Sequence, residues 1–194
     1  RHGRKPERVG FVHCVGSRDE KVNNLHCSKV CCITAVKQAI EVKQKLPDAE
    51  VFCFYMDLRM FGRHYEELYK EAQEKYNIQF IRGRLSESTE DQEGNVVVKV
   101  EDTLLGKPLR IKTSLLVLMA GMEPRANTRS LARRMGLKTV SDGFIQPVDE
   151  ILHSNYTEIP GLFVAGTCSG PKSVADTLAD ARSAAFAVAD FLKK

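Results

Sequence analysis

No stretch of this chain is apolar for long enough to cross a bilayer. The longest, Leu115 to Gly121, falls far short of the ~20 residues a spanning helix needs. No secretory signal is visible, so the expected setting is a reducing cytoplasm. There is no basic run with interleaved aromatics, and the net charge of +4 is scattered along the sequence, which argues against a nucleic-acid surface. Internal repeats and low-complexity segments are also missing. So is the G-x-G-x-x-G turn that a pyridine-nucleotide domain places between its first strand and first helix, which argues against NAD(P)H binding in this part of the chain. The chain begins at Arg1, with basic and polar residues up to Glu7, and reads as a segment of something larger.

What is present is sulfur. Of six cysteines, four stand close together: Cys14, Cys27, Cys31 and Cys32, at offsets of thirteen, four and one. Converging thiolates bind a metal ion or an iron–sulfur cluster. The offsets, with two adjacent cysteines, match neither the paired turns of a zinc ribbon nor a ferredoxin run. Zinc, or thiol/disulfide exchange with Cys31 or Cys27 as nucleophile, remains the alternative, although no C-x-x-C pair occurs among the four. His13 and His26 each precede one of these cysteines and are candidate substitute ligands. Cys53, inside an apolar run, reads as core.

The order of elements is α/β. Arg8–His13 reads as a strand. A helix follows to about Lys45, with Ser28 as its N-cap. Glu50–Met56 reads as a central parallel strand, Tyr65–Tyr76 as an amphipathic helix and Ile78–Arg82 as a strand. Asn95–Glu101 and Leu109–Thr113 look like an antiparallel pair, turned around Gly106 and Pro108. Leu115–Met119 reads as a buried strand, Leu131–Met135 as a short helix stopped by Gly136, and Asp142-Gly143 as a turn. Leu162–Ala165 reads as a last buried strand, feeding Gly166-Thr-Cys-Ser-Gly-Pro-Lys-Ser173 and an Ala-rich helix from about Val174 to Leu192. The thiol segment stands where a diphosphate-binding turn would lie, at the positive end of a helix that favours thiolate.

This order resembles the nucleotide-binding insert of thioredoxin-reductase-like flavoproteins, with Leu118–Pro124 as the return to the flavin domain and Ile159–Gly166 as the strand carrying a second flavin contact. The cysteine spacing, Arg59–Glu66, Arg82-Gly-Arg84 and the Gly-Pro-Lys stretch resemble the A-subunit family of heterodisulfide reductase and the flavin subunits of quinone-interacting oxidoreductase complexes. The resemblance covers nearly all of this chain but only part of a full-length family member. It implies a partial two-dinucleotide-domain flavoprotein: a degenerate Rossmann-like parallel sheet with a β-meander at residues 1–125, and the C-terminal segment of an FAD domain at 126–194. It further implies a 4Fe-4S cluster on Cys14, Cys27, Cys31 and Cys32, FAD held partly by residues 166–177, electron transfer between the two, partner subunits of a redox complex, and a homodimer as one possible assembly.

The FAD contacts so implied are Gly166, Thr167, Gly170, Pro171, Lys172, Ser173, Val174 and Thr177. Thr167 stands where thioredoxin-reductase-like enzymes usually carry Asp, and Ser173 where the heterodisulfide reductase proteins commonly do. Lys172 is the expected tuning residue, a cation able to stabilise an anionic reduced flavin. Cys168 reads as packing. Asp57 and Arg59 follow the second strand but, without the glycines, read as loop residues, and Glu66–Lys75 as a solvated helix face.

Overall fold

In the computed structural model residue 3 and residues 5–193 are described; Arg1, His2 and Arg4 of the basic start, and Lys194, lie outside them. Two units emerge. The first comprises residues 1–15 and 31–120, the second residues 16–30 and 121–194. The sequence places the change at 125/126 and keeps the cysteine loop with the first part. Hydrogen bonds give the physical reason for the difference. The Met122 N–H donates to Ser28 Oγ at 2.7 Å, and Asn24 Nδ2 donates to Glu123 Oε1 at 2.6 Å, tying the loop to the second unit.

The first unit is built on a parallel sheet in the order β3-β2-β1-β7, from β1 (Arg8–Val15), β2 (Glu50–Tyr55), β3 (Gln79–Arg82) and β7 (Leu115–Ala120). Its strands alternate between two cores, as period-two side chains must. Val9 and Phe11 of β1 and Val51 and Cys53 of β2 pack with Ala35, Val36, Ala39 and Ile40 of α1 (Cys31–Lys45) and Ala72 of α2 (Tyr65–Glu74). On the opposite face Phe52, Phe54 and Ile81 pack with Val98 and Val100. The last two belong to an antiparallel meander of β4 (Leu85–Glu90), β5 (Val96–Asp102) and β6 (Lys107–Thr113).

Several readings need correction. Ser28 does not cap α1; it accepts from Met122, and the helix begins at Cys31. β4 has no counterpart in the sequence reading, because Leu85-Ser-Glu-Ser-Thr-Glu90 is almost wholly exposed and lacks an apolar alternation. Pro108 lies inside β6 opposite Glu101 rather than in the turn, tolerated because β6 is an edge strand. β7 is also an edge strand; Met119 is buried, but Leu115 and Leu118 are exposed.

The second unit contains α3 (Thr128–Arg134) and α4 (Val174–Phe191), with a small core of Ala132, Ile145 and Val164. Leu162–Ala165 does not form a strand. Among the described residues it makes a single bridge, Tyr156 to Phe163, with Val164 N–H donating to Asn155 O. Gly166–Ser169 is a 3-10 turn.

Candidate functional site

Three of the four cysteines belong to the first unit. Cys14 lies near the end of β1 with φ at 58°, where the β1–β7 register breaks between Val12 and Val15. A non-glycine residue there stores backbone strain on the order of 1–3 kcal/mol, and the break turns the side chain away from regular alternation. Cys31 and Cys32 open α1, whose first turn carries no acidic residue. All three are buried.

Cys31 contacts both of the other thiols. Cys31 is held well below the usual thiol range, first by the hydrogen bond from Cys14, then by that from Cys32, against the opposing pull of burial. Cys32 is pushed up, because it donates to Cys31 and is buried, although the Arg59 backbone N–H pulls the other way. Of the two adjacent thiols Cys31 is the more readily ionised, at the positive end of α1. Cys32 Sγ also reaches the Asp57 carbonyl at 3.8 Å. The 57–59 loop thus covers Cys32 with its backbone, while the Asp57 carboxylate faces Arg82 at 3.6 Å.

His13 is buried, with neither ring nitrogen hydrogen-bonded among the described residues. Burial drives it down to about 4, partly offset by the Cys31 charge. Leaving such a polar group unsatisfied costs on the order of 1–3 kcal/mol. Cys53 is wholly buried and its thiol is pushed up by burial, as a core residue.

Cys27 belongs to the second unit, where its sulfur accepts the Lys29 N–H at 3.3 Å. His26, the other candidate substitute ligand, is engaged in that unit: Nε2 lies 2.8 Å from Met122 O and Nδ1 lies 3.3 Å from Asp142. Among the described residues no group of three or more His, Cys, Asp or Glu side chains forms a site for a single metal ion. The donor chemistry of Cys14, Cys31 and Cys32, three buried thiols of which Cys31 touches the other two, fits thiolate ligation of iron.

The second unit carries the Gly-Pro-Lys loop. Gly166 has φ at 78° and Gly170 at 146°, conformations that favour glycine. Lys172 folds back on its own loop. Its Nζ donates to Gly166 O at 2.9 Å and Ser169 Oγ at 2.7 Å, and lies 3.4 Å from Asp180, whose side chain is only 9% exposed. Asp180 in turn accepts from Gly166 N–H at 2.6 Å and Asn155 Nδ2 at 2.8 Å. Ser173 caps α4 in a reciprocal box with Asp176. Thr177 lies behind Gly166, 3.6 Å from where a Cβ would stand, and Val174 is exposed. Thr167, Cys168 and Pro171 line a cavity of about 530 Å³ with Met122, Leu131 and Phe144. Cys168 donates to Ala165 O at 3.2 Å and packs on the small core.

Within this unit Lys29, between Cys27 and Cys31 in the chain, pairs with Asp176 at 2.9 Å. Lys29 first, then Ser173, holds the Asp176 carboxyl down to about 2 from 3.8. A depressed folded-state value means the contribution is present above about 3.8 and lost as pH falls towards 2. The carboxylate is 41% exposed, so the effect is small and screened. Asp176→Asn is expected to flatten the acid limb of unfolding over that window, followed by circular dichroism at low salt. An unchanged limb would refute the pairing.

The chain belongs to the pyridine nucleotide-disulphide oxidoreductase family, whose sequence model matches residues 34–185. All four clustered cysteines lie before that stretch. The chain is similar to the iron-sulfur A-subunit of the CoB–CoM heterodisulfide reductase of Methanocaldococcus jannaschii, at 46% identity over 96% of this chain and 28% of the relative. It is also similar to the A-subunit of the H(2)/formate:CoB-CoM heterodisulfide,ferredoxin reductase of Methanococcus maripaludis, at 45% identity over 96% of this chain and 29% of the relative. It thus spans less than a third of the length of these curated relatives. Among solved structures, the thioredoxin reductase of T. acidophilum superposes with a TM-score of 0.61 at 22% identity, covering 96% of this chain and 53% of that one. The Lactococcus lactis enzyme gives 0.62 at 18%, covering 97% and 53%. The thioredoxin-reductase-like fold expected from the sequence is the one observed. Among the described residues no helix is long and apolar enough to cross a membrane.

Proposed function

We propose that this chain is part of a flavin and iron–sulfur oxidoreductase component that passes electrons between FAD and a 4Fe-4S cluster. The observation that carries this reading is the contact of Cys31 with both Cys14 and Cys32 at the head of α1. These three residues would hold the cluster; Cys27 is the fourth thiol by its spacing in the chain. The iron-sulfur designation in the name of a relative at 46% identity supports the assignment. When bound, the cluster supplies one-electron steps and the flavin the exchange between one and two electrons. The chain's own residues bind and tune: α1's positive end and the Arg59 N–H stabilise sulfur-borne charge, and burial keeps water from it.

FAD would contact Gly166, Thr167, Gly170, Pro171, Ser173, Val174 and Thr177, beside the cavity floored by Phe144. Lys172 acts there in a tuning role, through the loop it clasps. The partners are the other subunits of a heterodisulfide reductase-like or quinone-linked complex, as the names of the relatives suggest, with a homodimer as a possible assembly. The setting is cytoplasmic, with any membrane association through those partners. This segment alone is expected to be inactive.

The low-lying Cys31 thiol beside Cys14 also suits thiol/disulfide exchange, the second reading. Anaerobic reconstitution with iron and sulfide separates the two. The chain is expected to take up about four irons and show a broad band near ~400 nm. Cys14→Ser, Cys31→Ser and Cys32→Ser should each bring that to roughly none, while Cys53→Ala loads normally. No iron, with a reversible disulfide between Cys14 and Cys31, would replace the first reading with the second.

A further inference from the structure

We propose that His13 is a positioning residue for the cluster, donating a ring N–H to a sulfur of the cluster or of its cysteine ligands and so raising its reduction potential. The inference rests on the iron–sulfur reading of Cys14, Cys31 and Cys32.

Three observations carry it. His13 is 6% exposed, and neither Nδ1 nor Nε2 has a hydrogen-bond partner among the described residues. Buried polar atoms are rarely left this way, so an unmet donor marks a place where an acceptor belongs. His13 immediately precedes Cys14 in β1, shares the period-two positions of Val9 and Phe11, which pack on α1, and lies within electrostatic reach of Cys31. The neighbouring ring of Tyr55 is 6.5 Å away between centroids, in a tilted arrangement that makes no hydrogen bond to it. His26 differs in part: its Nε2 lies 2.8 Å from Met122 O and its Nδ1, though without a hydrogen bond among the described residues, faces Asp142 at 3.3 Å, whereas both ring nitrogens of His13 are unmet.

An imidazole carries at least one N–H in either protonation state. A donor directed at sulfur favours the more negatively charged, reduced state, because added charge on sulfur strengthens the hydrogen bond. Hydrogen bonds to sulfur are among the factors that set cluster potentials. Ligation is not required of His13, since the cysteines supply the thiolates.

The test uses the full 194-residue chain, reconstituted anaerobically, with iron content and an EPR-monitored redox titration as readouts. His13→Leu is expected to load as much iron as the parent, with a midpoint shifted to more negative potential. His13→Gln, which restores a donor amide, is expected to recover most of the shift. A second measurement does not depend on the folding of a variant. Pulsed EPR of the reduced, 15N-histidine-labelled parent should show a weak nitrogen coupling that persists in His26→Gln. An unchanged midpoint in fully loaded His13→Leu, or no nitrogen coupling in the parent, overturns the proposal while leaving the cluster reading intact. Iron lost from His13→Leu and His13→Gln alike, with a strong nitrogen coupling in the parent, makes His13 a ligand and overturns the positioning role. A parent that takes up no iron overturns both readings.

Discussion

Gly83→Ala is expected to cost the first unit about 3 kcal/mol or more, at the upper end of what overpacking and backbone strain produce. Gly83 lies in the two-residue link by which the chain leaves β3 and enters β4. Its N–H donates to Tyr55 O at 2.7 Å, holding it against the parallel sheet. On its other side a Cβ would stand 1.9 Å from the carbonyl oxygen of Glu101 and 3.0 Å from the carbonyl carbon, in the middle strand of the meander. Neither contact is with a flexible side chain. A methyl group there must push β5 away from Phe52, Phe54 and Ile81, which pack on Val98 and Val100. For a unit of this size each kcal/mol is worth roughly 4–8 °C in Tm, so a fall well beyond 10 °C is expected. Gly94→Ala serves as the control. Its nearest neighbour to an added Cβ is the Glu90 carboxylate at 3.7 Å, and the remaining penalty is that of its positive φ. Equal losses at the two sites would refute the close approach at Gly83.

The parallel sheet and its helices were legible because β1 and β2 carry continuous apolar runs that two-sided burial requires, and because α1 repeats Val36, Ala39 and Ile40 on one face. β4 was illegible for the opposite reason. Ser86 to Glu90 present polar side chains to water, and the strand exists through its backbone pairing with β5. Leu162–Ala165 failed in the other direction: its apolar run is that of a strand, but among the described residues it finds only a single bridge. Composition singled out the four cysteines, and the structure puts Cys14, Cys31 and Cys32 in one unit and Cys27 in the other. The details of their surroundings were not legible. The burial of His13, the cover given to Cys32 by the Asp57 and Arg59 backbone, and the allocation of residues 16–30 to the second unit all depend on long-range contacts that no local pattern encodes. Lys172 shows the same limit. The sequence marks it as a cation beside a glycine-rich loop, while its partner Asp180 sits further along α4.

That partnership sets the second large effect. Lys172→Met is expected to destabilise the second unit by about 3 kcal/mol, the usual cost of removing one member of a buried ion pair. The Asp180 carboxylate would keep Asn155 Nδ2 and Gly166 N–H as donors but lose the cation it pairs with, while remaining only 9% exposed. The double variant Lys172→Met/Asp180→Asn removes both charges and leaves an oxygen for Gly166, so it should recover a large part of the loss; simple addition of the two single effects would show that the pair is not coupled. The measurement is made without flavin, by amide hydrogen exchange at Gly166, whose N–H lies 2.6 Å from Asp180 Oδ2. A loss of this size accelerates exchange on the order of a hundredfold where opening follows unfolding. Without flavin present, a lysine whose sole task is to tune the ring would leave this exchange rate unchanged. A lysine that first clasps Gly166–Ser169 moves it, and any effect on flavin potential then follows from the loop geometry that the clasp maintains.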